Sequence, residues 1–179
     1  MSKCIVLFAS ANKNGFTKQL TDCFLSEYNG TVNFYNMYEE NFAPCTGCGY
    51  CTKHGKCHID DMNDILKDIF SSDFVIFASP VYNYTFPAPM KAFSDRLQLL
   101  FDKEKTACDR KGFLLASCGK SGKFSVDVMQ KQCDIAFCEL SCKNCGNFFF
   151  INTDKRSALQ QDEIRKVKEL AKEFFNKAF

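Results

Sequence analysis

Short, continuous apolar runs alternate along this chain with stretches whose apolar residues recur at helical spacing, and few folds accept that rhythm. Cys4–Ala9, Phe74–Ala78 and Gly112–Ala116 carry almost no polar side chain. A strand with one wetted face alternates apolar with polar residues, whereas a strand apolar throughout is covered on both faces, the habit of a parallel sheet. Val32 and Phe34, leading to Asn36, alternate with their neighbours as a second strand, and Phe148–Ile151 supplies a fifth. Between these runs, Phe16, Leu20, Phe24 and Tyr28 recur every four residues. Met62, Ile65, Leu66 and Ile69 form a stripe after Asp60-Asp61, residues suited to a helix N-terminus. Met90, Phe93, Leu97 and Leu100 form another, opening near Pro89. Ser125–Leu140 predicts a fourth helix, and Ile164, Val167, Leu170, Ala171 and Phe174 a closing one.

Five strands and five helices in strict alternation predict one α/β domain over residues 1–179. Right-handed crossovers make it a flavodoxin-like, doubly wound five-stranded parallel sheet in the order 2-1-3-4-5, with helices on both faces. Hydrophobic residues at 46% of 179 are enough for a real core. The net charge of +2 is spread without a basic block, so neither nucleic acid nor a membrane surface is an expected partner. No apolar run approaches the ~18–20 residues of a membrane span. Lys3, an apolar stretch and Ala9-Ser-Ala11 imitate a secretion signal. That stretch is only six residues, short of the usual ~7–15, and reads as a buried first strand. Twelve cysteines in a chain this size, four of them in one loop, fit a reducing cytoplasm better than a disulfide scaffold.

Those four are Cys45, Cys48, Cys51 and Cys57, with two, two and five residues between them and Gly47, Gly49 and Gly55 interspersed. The spacing resembles the compact cluster-ligating runs of bacterial ferredoxins, in which thiolates close around one inorganic cube. A structural zinc site usually sets two Cys pairs roughly 12–20 residues apart. This run is more compact and points to redox chemistry, with unliganded thiols or zinc as competing readings. His54 and His58 lie in the same loop, either as donors to sulfur or as exposed residues. Cys142-x-x-Cys145 precedes the fifth strand rather than a helix and reads as structural.

In a doubly wound sheet, ligands sit beyond the carboxyl ends of the strands. The loop after the first strand holds Ser10, Asn12, Asn14, Gly15, Phe16 and Thr17 and runs into a helix N-terminus, an anion site suited to phosphate. It matches neither G-x-G-x-x-G nor the G-x-x-x-x-G-K-[ST] loop. An ordinary helix cap by Thr17 or Asn14 is the competing reading. The loop after the third strand holds Pro80, Val81, Tyr82, Asn83 and Tyr84; its flat side chains suit a planar heteroaromatic ring, or else simply pack the loop or a dimer contact. The loop Ser117-Cys118-Gly119, continuing to Lys123, is rich in small residues and can approach the same ring. Phosphate, flat ring and close backbone approach together describe flavin mononucleotide, FMN.

With these residues in view, the chain resembles the flavodoxin-fold, NAD(P)H-dependent FMN reductase superfamily, and within it the iron–sulfur flavoprotein branch. Ser10, Asn12, Gly15 and Thr17, Pro44-Cys-x-x-Cys-x-x-Cys51, Gly55-x-Cys57 and Asp60-Asp61-Met62 carry the match. Ser79-Pro80-Val-Tyr82 and Met90-Lys91-Ala-Phe93-Ser-Asp95-Arg96 complete it, over about the first hundred residues. The resemblance implies FMN in the three loops, a 4Fe-4S cluster on Cys45, Cys48, Cys51 and Cys57, and a homodimer or homotetramer. It implies an oxidoreductase passing electrons from NAD(P)H or a ferredoxin-like donor through FMN to a quinone, nitro compound, oxygen or redox partner. No side chain is nominated as catalytic, because the chemistry belongs to the flavin. The alternative is a non-enzymatic electron carrier, although +2 lacks the acidic field of a typical flavodoxin. Cys118 is expected as a buried filler, and Asp95-Arg96 as a local ion pair or interface contact.

Overall fold

The computed structural model describes residues 1–101, 103, 109–120 and 123–176, the side chain of Lys123 excepted. Residues 121 and 122 of the third loop therefore lie outside the described residues. Strands β1 (Lys3–Phe8), β2 (Thr31–Asn36), β3 (Phe74–Pro80), β4 (Lys111–Ser117) and β5 (Lys143–Phe150) form one parallel sheet, ordered β2-β1-β3-β4-β5. The helices are α1 (Phe16–Leu25), α2 (Tyr50–His54), α3 (Asn63–Phe70), α4 (Ala88–Arg96), α5 (Lys123–Glu139) and α6 (Gln161–Asn176). The flavodoxin-like order expected from the sequence is the order observed. No helix among the described residues is long and apolar enough to cross a membrane.

The apolar runs are explained by burial. Every position of β3 and β4 is buried, as is every position of β1 except Lys3. Side chains alternate between the two faces of the sheet. Ile5, Leu7, Val75, Phe77 and Leu114 meet α3, α4 and α5 through Ile65, Met90, Phe93 and Phe137. Val6, Phe8, Ile76, Phe113 and Leu115 meet α1 and α6 through Leu20, Phe24, Val167, Ala171 and Phe174.

Several expected boundaries shift, each for a physical reason. β5 spans Lys143–Phe150 rather than Phe148–Ile151, because its first three residues are exposed on the sheet edge and need no apolar run. Cys145 consequently lies inside the strand and is exposed, while Cys142 is buried just before it. The helix expected over Ser125–Leu140 begins at Lys123 and ends at Glu139. The stripe Met90–Leu100 divides into α4 and one 3-10 turn, Leu97–Leu100. A sixth helix, α2, breaks the strict alternation; at five residues it is too short to show a period, and left-handed Gly49 and Gly55 bound it. No side chain caps α3, whose first amide, Asn63 N–H, donates to the Asp60 carbonyl (2.9 Å). The Asp61 carboxylate is committed elsewhere.

Asp68 on α3 ties that helix to the sheet. It accepts hydrogen bonds from the Tyr35 hydroxyl (2.5 Å) and Asn33 Nδ2 (2.6 Å) of β2 and from Lys3 Nζ of β1 (2.9 Å). The Tyr35 hydroxyl first, then Lys3 and Asn33, hold the carboxyl down at about 2. A carboxyl depressed on folding adds stability above its unfolded pKa, about 3.9, and loses it as pH falls through the folded value. The stability gap between the wild type and Asp68→Asn is therefore expected to close between about pH 3.9 and about pH 2. Urea unfolding at stepped pH measures it, and a gap that stays constant through this window would overturn the assignment.

Candidate functional site at the carboxyl edge of the sheet

Three of the loops expected to act together are physically joined, and Ser117 at the end of β4 joins them. Its hydroxyl lies 2.8 Å from the Thr17 hydroxyl, both side chains being buried, and its carbonyl accepts the Val81 N–H at 2.8 Å. One residue thus ties the start of α1, a hundred positions away in sequence, to the loop after β3.

In the first loop, Asn12 shapes the turn. Asn12 Oδ1 accepts the Asn14 N–H (3.0 Å), the Asn12 carbonyl accepts the Gly15 N–H (3.3 Å), and the buried Ser10 donates its hydroxyl to the same carbonyl (3.2 Å). Gly15 is the N-cap of α1, no side chain caps the helix, and no acid stands in its first turn. The helix cap by Thr17 or Asn14 is therefore not what the structure holds. Phe16 packs its ring 5.1 Å from that of Phe150, leaving the helix opening to backbone donors. An uncapped N-terminus with its dipole unopposed is chemically an anion receptor.

The second loop leaves Pro80 and Val81 and turns tightly. Tyr82 and Thr85 exchange N–H···O bonds of 3.0 Å each, and the residues between them, Asn83 and Tyr84, have φ of +46° and +67°. Two consecutive left-handed residues make a primed turn, a position that favours Gly and Asn and strains a tyrosine. The result is that Tyr82 and Tyr84 stand exposed, with the Tyr84 ring 5.6 Å from Phe124 of α5 in an edge-on contact. Thr85 bonds Gln132 of α5, anchoring the far side of the turn.

The third loop is held from β5. Cys118 is buried, as a filler would be; its N–H donates to the Phe150 carbonyl (2.9 Å), and Asn152 N–H donates to the Gly119 carbonyl (2.9 Å). Asp154, which sequence reasoning missed, accepts the Lys120 N–H at 2.8 Å, and a Cβ on Gly119 would collide with its carboxylate. No local pattern announces Asp154: its partner lies more than thirty residues away.

The cysteine loop builds a second centre beside this one. Cys45, Cys48, Cys51 and Cys57 all line one cavity of about 210 Å³, together with Tyr50, His58, Leu99 and Arg96. Among the described residues, no three Cys, His, Asp or Glu side chains converge as a metal site, so the thiols share the cavity without meeting. His54 and His58 are both exposed; His54 stacks on Tyr50 at 4.1 Å, and His58 Nδ1 lies 3.4 Å from Cys48 Sγ.

Arg96 is the larger surprise. Asp95 pairs with Lys91 on the helix surface, whereas Arg96 is buried and pairs with Asp61, 35 residues away. Its Nη1 also donates to the Ala43 carbonyl (3.2 Å), and its Nη2 to the Ile59 carbonyl (2.7 Å) and Cys57 Sγ (3.6 Å). Asp61 in turn accepts the Ala43 N–H at 2.8 Å. The pair clasps both ends of the cysteine loop, so the expectation of a local Asp95–Arg96 pair is corrected. Burial works against the Arg96 charge, but the bonds to Asp61 and Cys57 outweigh it and hold the guanidinium pKa above its ordinary value.

A doubly wound parallel sheet with an open helix N-terminus, an aromatic turn and a backbone loop clustered at its carboxyl edge belongs to the flavodoxin-like class. The chain is a member of the NADPH-dependent FMN reductase family, whose sequence pattern matches residues 2–156. It is 34% identical over 99 residues to an iron-sulfur flavoprotein of Archaeoglobus fulgidus, covering 53% of this chain and 45% of that protein. It is 38% identical over 81 residues to an iron-sulfur flavoprotein of Methanosarcina thermophila, covering 45% and 42% respectively. The chain thus matches less than half the length of these curated relatives. Among solved structures, an NAD(P)H:quinone oxidoreductase from Methanothermobacter marburgensis superposes with a TM-score of 0.76 at 16% identity over 100% of this chain and 99% of that one. An FMN-dependent NADH-azoreductase from Bacillus anthracis in complex with FMN gives 0.74 at 15% identity over 98% and 100%. At these identities the likeness is one of fold.

The Ser117 junction is directly testable. Thr17→Val keeps the side-chain shape and strands the buried Ser117 hydroxyl, an expected loss of about 1–3 kcal/mol. Thr17→Ser keeps the donor and should lie much nearer the wild type. Denaturant midpoints compare the two, and equal losses would show that the hydroxyl pair does not matter.

Proposed function

We propose that the protein is an FMN-dependent oxidoreductase that takes electrons from NAD(P)H, or from a ferredoxin-like donor, and delivers them to a quinone, a nitro compound, oxygen or a redox partner. The observation that carries this reading is the uncapped N-terminus of α1, tied through Thr17 and Ser117 to the strained aromatic turn. The residues fit FMN. Ser10, Asn12, Asn14, Gly15, Phe16 and Thr17 surround an anion receptor for the phosphate. Tyr82 and Tyr84, both exposed, offer flat side chains to the ring system, the turn through Pro80, Val81 and Asn83 holds them there, and Ser117, Cys118 and Gly119 would close its edge. Bound there, FMN supplies hydride acceptance and one-electron release, chemistry that no side chain of the chain provides.

The chain's own part is positioning and exclusion of water. The helix dipole and hydroxyls fix the phosphate end. The Tyr82–Thr85 exchange holds the turn in a geometry its residues would not choose alone, so the ring platform is set before the ligand arrives. Asp154 holds the third loop by the Lys120 amide. The same proposal assigns the 4Fe-4S cluster to Cys45, Cys48, Cys51 and Cys57, on the ground that all four cysteines line one cavity, a donor set of the right chemistry, and that the buried Arg96 beside them has an Nε with no partner. The thiolates would hold the iron. A pairing of flavin with cluster suits conversion between two-electron and one-electron transfer.

An ultraviolet–visible spectrum with iron and acid-labile sulfide assays on anaerobically purified protein tests the reading. Flavin bands with about four iron per chain are expected for one 4Fe-4S cluster. Flavin without iron would remove the cluster, and no flavin at all would overturn the function. Steady-state NAD(P)H oxidation with a quinone acceptor is expected to show multiple turnovers; reduction only by a ferredoxin-like protein would favour the carrier.

Tyr84 separates strain from binding. Tyr84→Gly relieves a left-handed residue worth of order 1 kcal/mol and removes a ring from the platform. The variant should be as stable as the wild type or more so, yet bind FMN more weakly by fluorescence titration. Unchanged FMN affinity would exclude the turn from the flavin site.

A further inference from the structure

The cysteine loop holds one group that the proposed function leaves without a task. The Arg96 side chain is 1% exposed and lines the same cavity as the four cysteines. It has three polar anchors outside that cavity's sulfurs, the Asp61 carboxylate and the Ala43 and Ile59 carbonyls, and one contact within, Nη2 to Cys57 Sγ at 3.6 Å. Among the described buried side chains, Arg96 Nε alone has no hydrogen-bond partner. Arginine prefers planar, fully satisfied surroundings, and a buried N–H left unpaired is costly. If clasping the loop were the whole of its work, that donor would be wasted.

We propose that Arg96 is a tuning residue for the metal centre: its fixed positive charge, placed on Cys57, favours the more reduced, more negative state of the cluster, and Asp61 limits the size of that effect. The inference rests on the assignment of the 4Fe-4S cluster to this loop and adds to it a specific source of the potential. The physical basis is that hydrogen bonds to the ligating sulfurs and local charge set the potentials of iron–sulfur centres. The field of a cation in direct contact with a ligand sulfur is little screened when that cation is buried. Arg96 neither gains nor loses a proton in this role. With a cluster held by the four cysteines, the guanidinium would stabilise an added negative charge beside Cys57 electrostatically.

The design makes the two halves of the ion pair act with opposite sign, which a purely structural clasp does not. Arg96→Gln removes the cation and should shift the one-electron equilibrium of the centre at least tenfold toward the oxidised form, about 59 mV to lower potential. Asp61→Asn removes the counter-charge and should shift it the other way. If the two residues only hold the loop, both variants loosen it alike, and the potentials move in one direction or not at all.

The experiment is a potentiometric titration followed by electron paramagnetic resonance on anaerobically purified wild type, Arg96→Gln and Asp61→Asn. Iron and sulfide per chain are assayed first, and FMN binding reports retained fold. Opposite shifts support the proposal. Shifts of the same sign, unchanged potentials, or equal loss of iron from both variants overturn it while leaving the cluster assignment intact. Should Arg96→Gln fail to bind FMN or fold, Arg96→Lys takes its place, keeping the cation while losing the fork of hydrogen bonds: a potential close to the wild type beside a raised one in Asp61→Asn supports the proposal, and a shift of the same sign in both overturns it. A wild type without iron overturns the cluster assignment itself, and the tuning role with it, so the two failures are told apart by the first assay.

Discussion

Three strands buried on both faces, β1, β3 and β4, are the constraint from which the rest of the molecule follows. Their amides and carbonyls are consumed by the ladders on either side, and their side chains are committed to two apolar layers. Polar chemistry therefore has no place within the sheet and is pushed to its ends. Because every pairing is parallel, the carboxyl ends all open on one edge. Register then decides which loops meet: Phe8 lies beside Ala78, and Pro80 beside Ser117. The junction of Thr17, Ser117 and Val81 is a direct consequence, assembled from residues far apart in the chain by strand pairing alone.

Strain is concentrated where that edge is most open. Asn83 and Tyr84 both lie in the left-handed region, a cost of roughly 1–3 kcal/mol for a residue such as tyrosine. The turn persists because its neighbours over-determine it: two backbone bonds close it, Val81 is tied to β4, and Thr85 is tied to α5. Phe86, just beyond, is buried against Phe77 and fixes where the turn must end. Tyr82 and Tyr84 consequently stand at the surface, Tyr84 with one edge-on neighbour in Phe124, rather than inside their own loop.

How much of this was legible in the sequence depends on the range of the interaction. Apolar runs and four-residue spacing report burial of a strand or of a helix face, so Phe74–Ala78 and the stripes of α1 and α6 were readable directly. So was the meeting of the three loops at one edge, because parallel topology brings the carboxyl ends of the strands together. The polar half of β5 was not, since an edge strand exposed to water leaves no hydrophobic trace. Nor was α2, too short to show periodicity. Side-chain pairing across the fold was the least visible. Arg96 stands next to Asp95, and adjacency in sequence argued for a local pair; on a helix, however, neighbours point apart, and Lys91 at i−4 faces Asp95. Arg96, turned inward, finds Asp61 instead. Asp154 was hidden in the same way, its partner loop being brought to it only by the β4–β5 pairing.

The cysteine loop is the part of the chain least able to hold itself. Cys45 to Cys48 and Thr52 to Lys56 are exposed, so this stretch contributes little apolar burial, and its glycines at positive φ gain it only turns. Its shape depends on the clasp by Arg96 and Asp61. Buried ion pairs are weak stabilisers, because desolvation offsets most of the attraction, and an apolar pair of similar volume often serves stability as well. An apolar side chain here would nevertheless leave the Ala43 and Ile59 carbonyls without their donor and would place no charge beside Cys57. By contrast Lys91–Asp95, half exposed on the same helix, contributes only about 0.3–0.5 kcal/mol and positions nothing. The ion pair that closes the loop therefore also sets the charge beside Cys57, the guanidinium by contact and Asp61 by opposing it.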